Sequence, residues 1–161
     1  MRRAILFALM CGLVGGARMA APATLPPSVT VTRAWSRATP PGATVGVAYF
    51  EIVNSGAGDE LTGIDSPAAQ RVEMHSTTMN GGLMQMRQTD SVAVPAHGRV
   101  AFEPQGLHAM LIALRKPLKE GDRLALTLTF RHAGKVDVTA VVQGLGAETA
   151  PPNDDHGARR E

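Results

Sequence analysis

From Val29 onward the chain alternates between apolar and polar positions. Leu124, Leu126, Leu128 and Phe130 are interleaved with Ala125, Thr127 and Thr129, and Val136, Val138, Ala140 and Val142 with Asp137, Thr139 and Val141. A period of two sends successive side chains to opposite faces of a pleated strand, so both runs read as half-buried strands. The same reading predicts strands over residues 29–35, 45–53, 60–64, 71–76, 83–88, 99–102 and 109–114. Turn residues mark the breaks. Pro40-Pro41-Gly42 leads into one strand and Asn54-Ser55-Gly56 leaves it; Asn80-Gly81-Gly82, Glu120-Gly121-Asp122 and His132-Ala133-Gly134-Lys135 separate others. Short strands, frequent turns, no sustained helical period and no internal repeat argue for an all-β fold, an antiparallel sandwich or a barrel.

The two ends follow different rules. Arg2 and Arg3 precede an apolar stretch over residues 4–16, and small residues, Ala20-Ala21-Pro22-Ala23, follow. This is the layout of a secretory signal peptide, with an apolar run short for a membrane span; an uncleaved anchor is the alternative. The expected organisation is a signal peptide over residues 1–23, one domain over 24–143, and a disordered tail over 144–161, where Gly, Ala, Pro, Asp and Arg dominate.

Removing the leader changes the composition in two ways. The only cysteine, Cys11, is lost; Met10 before it is not the small residue that normally precedes a lipidated bacterial cysteine, which counts against a lipoprotein. Arg2, Arg3 and Arg18 are lost with no acidic residue, so thirteen basic side chains remain against fourteen acidic ones, and the formal charge moves from +2 to −1. The basic character of the full chain is therefore no argument for nucleic-acid binding, and no basic, aromatic-interleaved patch occurs elsewhere. With one Trp, one Tyr and four Phe, the core must be built mainly of Val, Leu, Ile and Ala. Trp35 is expected in that core or as a cap over it, with shielding of a metal as the alternative.

The chemistry-bearing residues cluster. Met74, Met79, Met84 and Met86 lie within one short segment, and Met110 is the fifth methionine beyond the leader. His75 and His108 sit beside Met74 and two residues before Met110. Asn-Gly is the strongest short signal for a two-residue type I′ turn. Centring the hairpin on Asn80-Gly81 places Met79 opposite Gly82 and His75 directly opposite Met86, with Met84 on the same face and Met74 on the other. A turn at Gly81-Gly82 would instead set His75 opposite Gln88 and make Met86 a diagonal neighbour. Facing residues have Cβ atoms ~4.5–5.5 Å apart, so imidazole and thioether can meet at one point. His108 and Met110, two apart on a strand, also share a face. Two such pairs brought together across a sandwich would make a four-ligand site: His75, Met86, His108 and Met110.

Thioethers are soft, neutral donors that suit copper(I) and serve zinc, iron or manganese poorly. An exported chain cannot count on a free thiol staying reduced, whereas methionine forms no disulfide. The blue-copper cysteine is missing, which favours carrying the ion over electron transfer. Met also fills cores, and lone histidines are commonly surface residues; the recurrence of two His–Met pairs is what separates this cluster from packing. His97 and His132 fall in turns and are read as exposed. No Ser-His-Asp arrangement, Gly-rich phosphate loop or paired-carboxylate signature is present, so no enzymatic activity is expected.

The spacing is itself informative. Ten residues separate His75 from Met86, twenty-one separate Met86 from His108, and His108-Ala109-Met110 closes the pattern. With Trp35, Pro40-Pro41-Gly42, Tyr49, Asn80-Gly81-Gly82-Leu83-Met84 and Leu118-Lys119-Glu120-Gly121-Asp122, it resembles the PCu(A)C family of periplasmic copper chaperones over about residues 29–143. The resemblance implies a cupredoxin-like, antiparallel Greek-key β-sandwich holding copper(I). It also implies a monomeric carrier that delivers its ion by ligand exchange to a copper acceptor. The acceptor would be a cytochrome oxidase subunit, met transiently at the membrane, or a thiol-bearing copper chaperone. A copper-dependent redox protein on the same scaffold, or a general copper storage or tolerance protein, is the alternative. Some family members carry His/Met-rich tails; here the tail has only His156, beside Asp154 and Asp155, so no second strong site is expected there.

Overall fold

The computed structural model describes residues 28–150; the predicted signal peptide and His156 lie outside the described residues. Ten strands follow in chain order: β1 (Val29–Arg37), β2 (Val45–Asn54), β3 (Asp59–Asp65), β4 (Ala69–Asn80), β5 (Leu83–Thr89), β6 (Val92–Val94), β7 (Arg99–Phe102), β8 (Leu107–Leu114), β9 (Arg123–Phe130) and β10 (Gly134–Gln143). Nine correspond to the runs read from the alternation. The tenth, β6, is a three-residue strand between Ser91 and Pro95, too short to show a period. Strand β4 extends beyond its expected end at Ser76 to Asn80.

The strands hydrogen-bond in the order β5-β4-β8-β7-β2-β1-β10-β9-β3-β6, and β8 also pairs with β2. The fold is all-β and cupredoxin-like. The expectation of a wholly antiparallel sheet needs one correction, because β1 runs parallel to β10 and β7 parallel to β8. β1 and β10 are distant in sequence, so no local turn signal announces their pairing, and the β7–β8 contact is a single pair, Phe102 with Leu107, across the short Glu103–Gly106 turn.

The sheet folds so that its two halves share one core. Leu124, Leu126, Leu128 and Phe130 of β9, with Ala140 and Val142 of β10 and Leu61 and Ile64 of β3, face Ala48, Phe50 and Ile52 of β2, Ala109 and Leu111 of β8, and Met74 of β4. Phe50 stacks on Phe102 with ring centroids 4.3 Å apart. Each fully buried Leu, Ile or Phe contributes about 1.5–3 kcal/mol relative to exposure, so this cluster dominates the driving force.

Two polar side chains pin the corners. Asn54, 2% exposed, donates to the carbonyls of Ala57 (2.6 Å) and Pro95 (3.1 Å) and accepts from the Gly56 amide (2.9 Å). Asp59 opens β3 and accepts from the amides of His132 (2.9 Å) and Ala133 (2.8 Å), tying the β9–β10 turn to β3. The chain after β10 is described as far as Ala150, and it is tied down there: the Arg37 guanidinium donates to the Ala147 carbonyl at 2.6 Å.

Candidate metal centre

The β4–β5 hairpin turns at Gly81-Gly82. Asn80 pairs with Leu83, Met79 with Met84, Thr77 with Met86 and His75 with Gln88. The Asn80-Gly81 turn that would have set His75 opposite Met86 is therefore corrected. The reason lies in the backbone. Gly81 and Gly82 have φ of 59° and 82°, and a turn with both central residues at positive φ costs least when neither carries a Cβ. Asn80 can then stay extended and add a rung to the ladder. The shift is by two residues, so every side chain keeps its face.

On its other side β4 pairs with β8, where His75 lies directly opposite His108 and Glu73 opposite Met110. The two His–Met pairs are thus not on opposing layers, as expected, but on one face of three adjacent strands, β5-β4-β8. His75 and His108 stand side by side with ring centroids 5.8 Å apart. Met110 is the next same-face residue on β8, and Met86 is diagonal to His75 on β5. Met74 points the opposite way and is buried in the core, between Glu73 and His75 in sequence but on the other face.

Hydrogen bonds settle which ring nitrogens are free. His75 Nε2 lies 3.0 Å from Glu73 Oε2. A carboxylate only accepts, so Nε2 carries the proton and Nδ1 presents a lone pair. That Nδ1 is, among the described residues, the one buried side-chain nitrogen or oxygen with no hydrogen-bond partner. Such an orphan is costly unless something else takes up its lone pair. His108 Nδ1 lies 3.1 Å from the Gly106 carbonyl, so its proton sits there and Nε2 is free. The same carbonyl accepts from the Thr77 amide at 3.0 Å, which locks the turn before β8 onto β4. That turn, Glu103–Gly106, holds Gln105 at φ 69° and closes with Gly106 N to Glu103 O at 3.0 Å.

Glu73 was not singled out from the sequence, although Glu73-Met74-His75 puts an acid two residues before the histidine on one strand face. Its carboxyl is held below the usual range first by the His75 ring and then by the Arg71 guanidinium, whose Nε lies 2.7 Å from Oε1. This is the carboxylate–histidine arrangement that orients metal-binding imidazoles.

Met84, Met86, His108 and Met110 line an open cleft of about 790 Å³, together with Trp35, Tyr49 and the segment around Glu148. Trp35 is buried but is not part of the main core; it packs on Tyr49 across β1–β2, with centroids 4.6 Å apart, and lines the cleft. His97 and His132 are exposed and lie elsewhere, His132 against Asp59. Among the described residues no three His, Cys, Asp or Glu side chains converge as metal ligands. The donors that share this sheet face are imidazole nitrogen and thioether sulfur, a set that suits a soft cation, although His75 itself does not line the cleft.

Fold and donors together define a small β-sandwich with two imidazoles and two thioethers on one sheet face. The chain belongs to the family described as "Putative lipoprotein LpqE-like", which matches residues 29–142. It is 30% identical over 150 residues to the putative lipoprotein Lxx21020 of Leifsonia xyli subsp. xyli (strain CTCB07), covering 89% of each chain. Among solved structures it is similar to the copper-bound PCuAC domain from PmoF2, at 28% identity and TM-score 0.63, over 73% of this chain and 93% of that one. It is also similar to the copper(I) form of DR1885 from Deinococcus radiodurans, at 30% identity and TM-score 0.59, over 76% of this chain and 83% of that one. The fold is thus that of PCuAC domains.

Proposed function

We propose that this chain is an exported, non-enzymatic copper(I) carrier whose ion is held by His75 Nδ1, His108 Nε2 and the sulfurs of Met86 and Met110. The observation that carries this reading is the orphaned, buried Nδ1 of His75 beside a second free imidazole nitrogen on the same face. Copper(I) is d¹⁰ and imposes no geometry that this mixed set must strain to meet, whereas copper(II) prefers harder donors in a tetragonal array. The similar solved structures of the PmoF2 PCuAC domain and of DR1885 hold copper, which supports the choice of metal.

Of the four ligands Met86 is half exposed and His108 is buried, so the ion is reached from the Met86 side. An acceptor can therefore attack the ion and replace one protein ligand at a time. The receiving protein is a copper acceptor with softer or more numerous ligands: a cytochrome oxidase subunit or a thiol-bearing chaperone. The chain works as a monomer outside the cytoplasm, in the periplasm, after loss of its leader. Mass spectrometry of the exported protein is expected to find a new N-terminus at Pro22 or Thr24; a lipid-modified Cys11, which similarity to putative lipoproteins raises, would refute the cleaved, unanchored form.

The site itself is tested by copper(I) competition. The mature protein, loaded anaerobically against a chromogenic chelator, is expected to retain one ion, and Met86→Leu and His108→Ala to lose it at lower chelator concentration. Equal retention by all three proteins sinks the assignment.

A further inference from the structure

The hairpin holds two more thioethers than the four-ligand set uses. Met79 and Met84 face each other across β4–β5, one same-face rung beyond Thr77–Met86. Met79, Met84 and Met86 are 66%, 62% and 50% exposed. Facing side chains start ~4.5–5.5 Å apart at Cβ, and Met84 and Met86 are same-face neighbours along β5. Methionine side chains are long, unbranched and flexible enough for the three sulfurs to close on one point.

Packing does not account for these residues, since they are largely solvent-exposed. A general apolar docking patch does not account for their identity either. The face shared by His75, Thr77, Met79, Met84, Met86 and Gln88 carries no Leu, Ile, Val or aromatic side chain on the hairpin; Leu83, 70% exposed, pairs with Asn80 and points to the other face. Every exposed apolar side chain on this face of the hairpin is a thioether. The tip is also open: a Cβ built on Gly81 or Gly82 would meet nothing within 4 Å.

We propose that Met79, Met84 and Met86 form an outer copper(I) site of lower affinity, through which the ion enters and leaves the inner site. The proposal rests on the inner-site reading above. Met86 is common to both sites, so the ion can move by exchanging its imidazole and Met110 bonds for bonds to Met79 and Met84 while one Cu–S bond is kept. No electron is transferred; metal–ligand bonds break and form. Three neutral sulfurs without an imidazole hold the ion more weakly, which is what a passing station requires.

The test uses the full mature chain labelled with ¹³C at the methionine methyls and titrated anaerobically with copper(I) alone. The first equivalent should move the Met86 and Met110 methyls, and the second, bound by Met79 and Met84 with the second lone pair of the Met86 sulfur bridging the two ions, should move Met79 and Met84 and shift Met86 again. In Met79→Leu/Met84→Leu the first-equivalent response should persist, the second should vanish, and loss of copper from the loaded protein to dithiothreitol should slow. Leucine keeps the apolar surface, so such a loss reports the sulfurs. A second equivalent that leaves Met79 and Met84 unmoved, or a double variant that surrenders its ion at the wild-type rate, overturns the outer site alone. A first equivalent that leaves Met86 and Met110 unmoved overturns the inner site and the outer one with it.

Discussion

Glu73 offers the sharpest test of how the cradle is held, because it touches no ion itself. Removing its carboxylate in Glu73→Ala leaves His75 Nε2 without the acceptor now 3.0 Å away. The ring is then free to put its proton on Nδ1, the nitrogen that must be bare to ligate, and to turn out of line. Loss of such a partner typically costs about 10–100-fold in metal affinity. The side chains of His75 and Glu73 are 14% and 19% exposed, so water can partly replace the lost acceptor. The expected fall is therefore near the lower end, about tenfold, with Glu73→Gln in between because its amide oxygen still accepts. Copper(I) competition against a chelator measures each value. A double-mutant cycle supplies the control, since in a His75→Ala background Glu73→Ala should have no further effect. An undiminished affinity in Glu73→Ala, or an equal loss in both backgrounds, refutes the positioning role.

Other expectations follow from the same contacts. Met74→Leu replaces a core methionine on the face opposite the ligands, so copper affinity should be unchanged and stability should fall by less than about 1.5 kcal/mol in urea unfolding. Asn54→Ala strands the Ala57 and Pro95 carbonyls and the Gly56 amide at a partly buried corner, and should cost about 2–3 kcal/mol in the same assay. Burial pulls the Asp59 carboxyl up, but the amides of Glu60, Ala133 and His132 and the His132 ring outweigh it and hold it below its ordinary value. A depressed folded value means the stabilisation is present above the unfolded carboxylate value of about 3.9 and is lost as pH falls through the folded one. The stability gap between wild type and Asp59→Asn should accordingly close on acidification below about pH 4; a gap constant to strong acid would contradict it.

Alternation carried most of the architecture because strands such as β9 bury one side only, whereas β2 buries Ala48, Tyr49 and Phe50 in succession. Leu124, Leu126, Leu128 and Phe130 are all buried, and the four residues that alternate with them point to a wetter face, Arg123 and Ala125 exposed and Thr127 and Thr129 half-buried. Strand β6 escaped because Val92-Ala93-Val94 is one and a half periods long. The parallel pairing of Trp35 with Val141 escaped for a different reason. It joins the first and last strands of the domain, and no local property of either segment names a partner over a hundred positions away. Trp35 shows the limit in a single side chain: its bulk and apolarity indicate burial, but which surface buries it depends on Tyr49 and the cleft, which only the assembled sheet supplies.

That the candidate donors share a face was legible for a reason that also explains where their geometry was not. Face membership on a strand depends only on whether positions are odd or even, so His75, Met84 and Met86 share a face for either turn, and His108 and Met110 do so on their own strand. Partner identity depends on the turn and on the neighbouring strand, and Asn80-Gly81 and Gly81-Gly82 both satisfy the positive φ that the turn needs. The choice of Gly-Gly moves Met86 one rung outward, from a position facing His75 to one facing Thr77, and brings Met84 opposite Met79. The residue that faces His75 across the other ladder is His108, a pairing set by β4–β8 and invisible in the hairpin. The two imidazoles are thus fixed against each other by the sheet, while the sulfur on β5 reaches in from an edge strand with an exposed tip. On the proposed reading, the buried His108 and its neighbour His75 would hold the ion, and the half-exposed Met86 is the donor an acceptor would reach first.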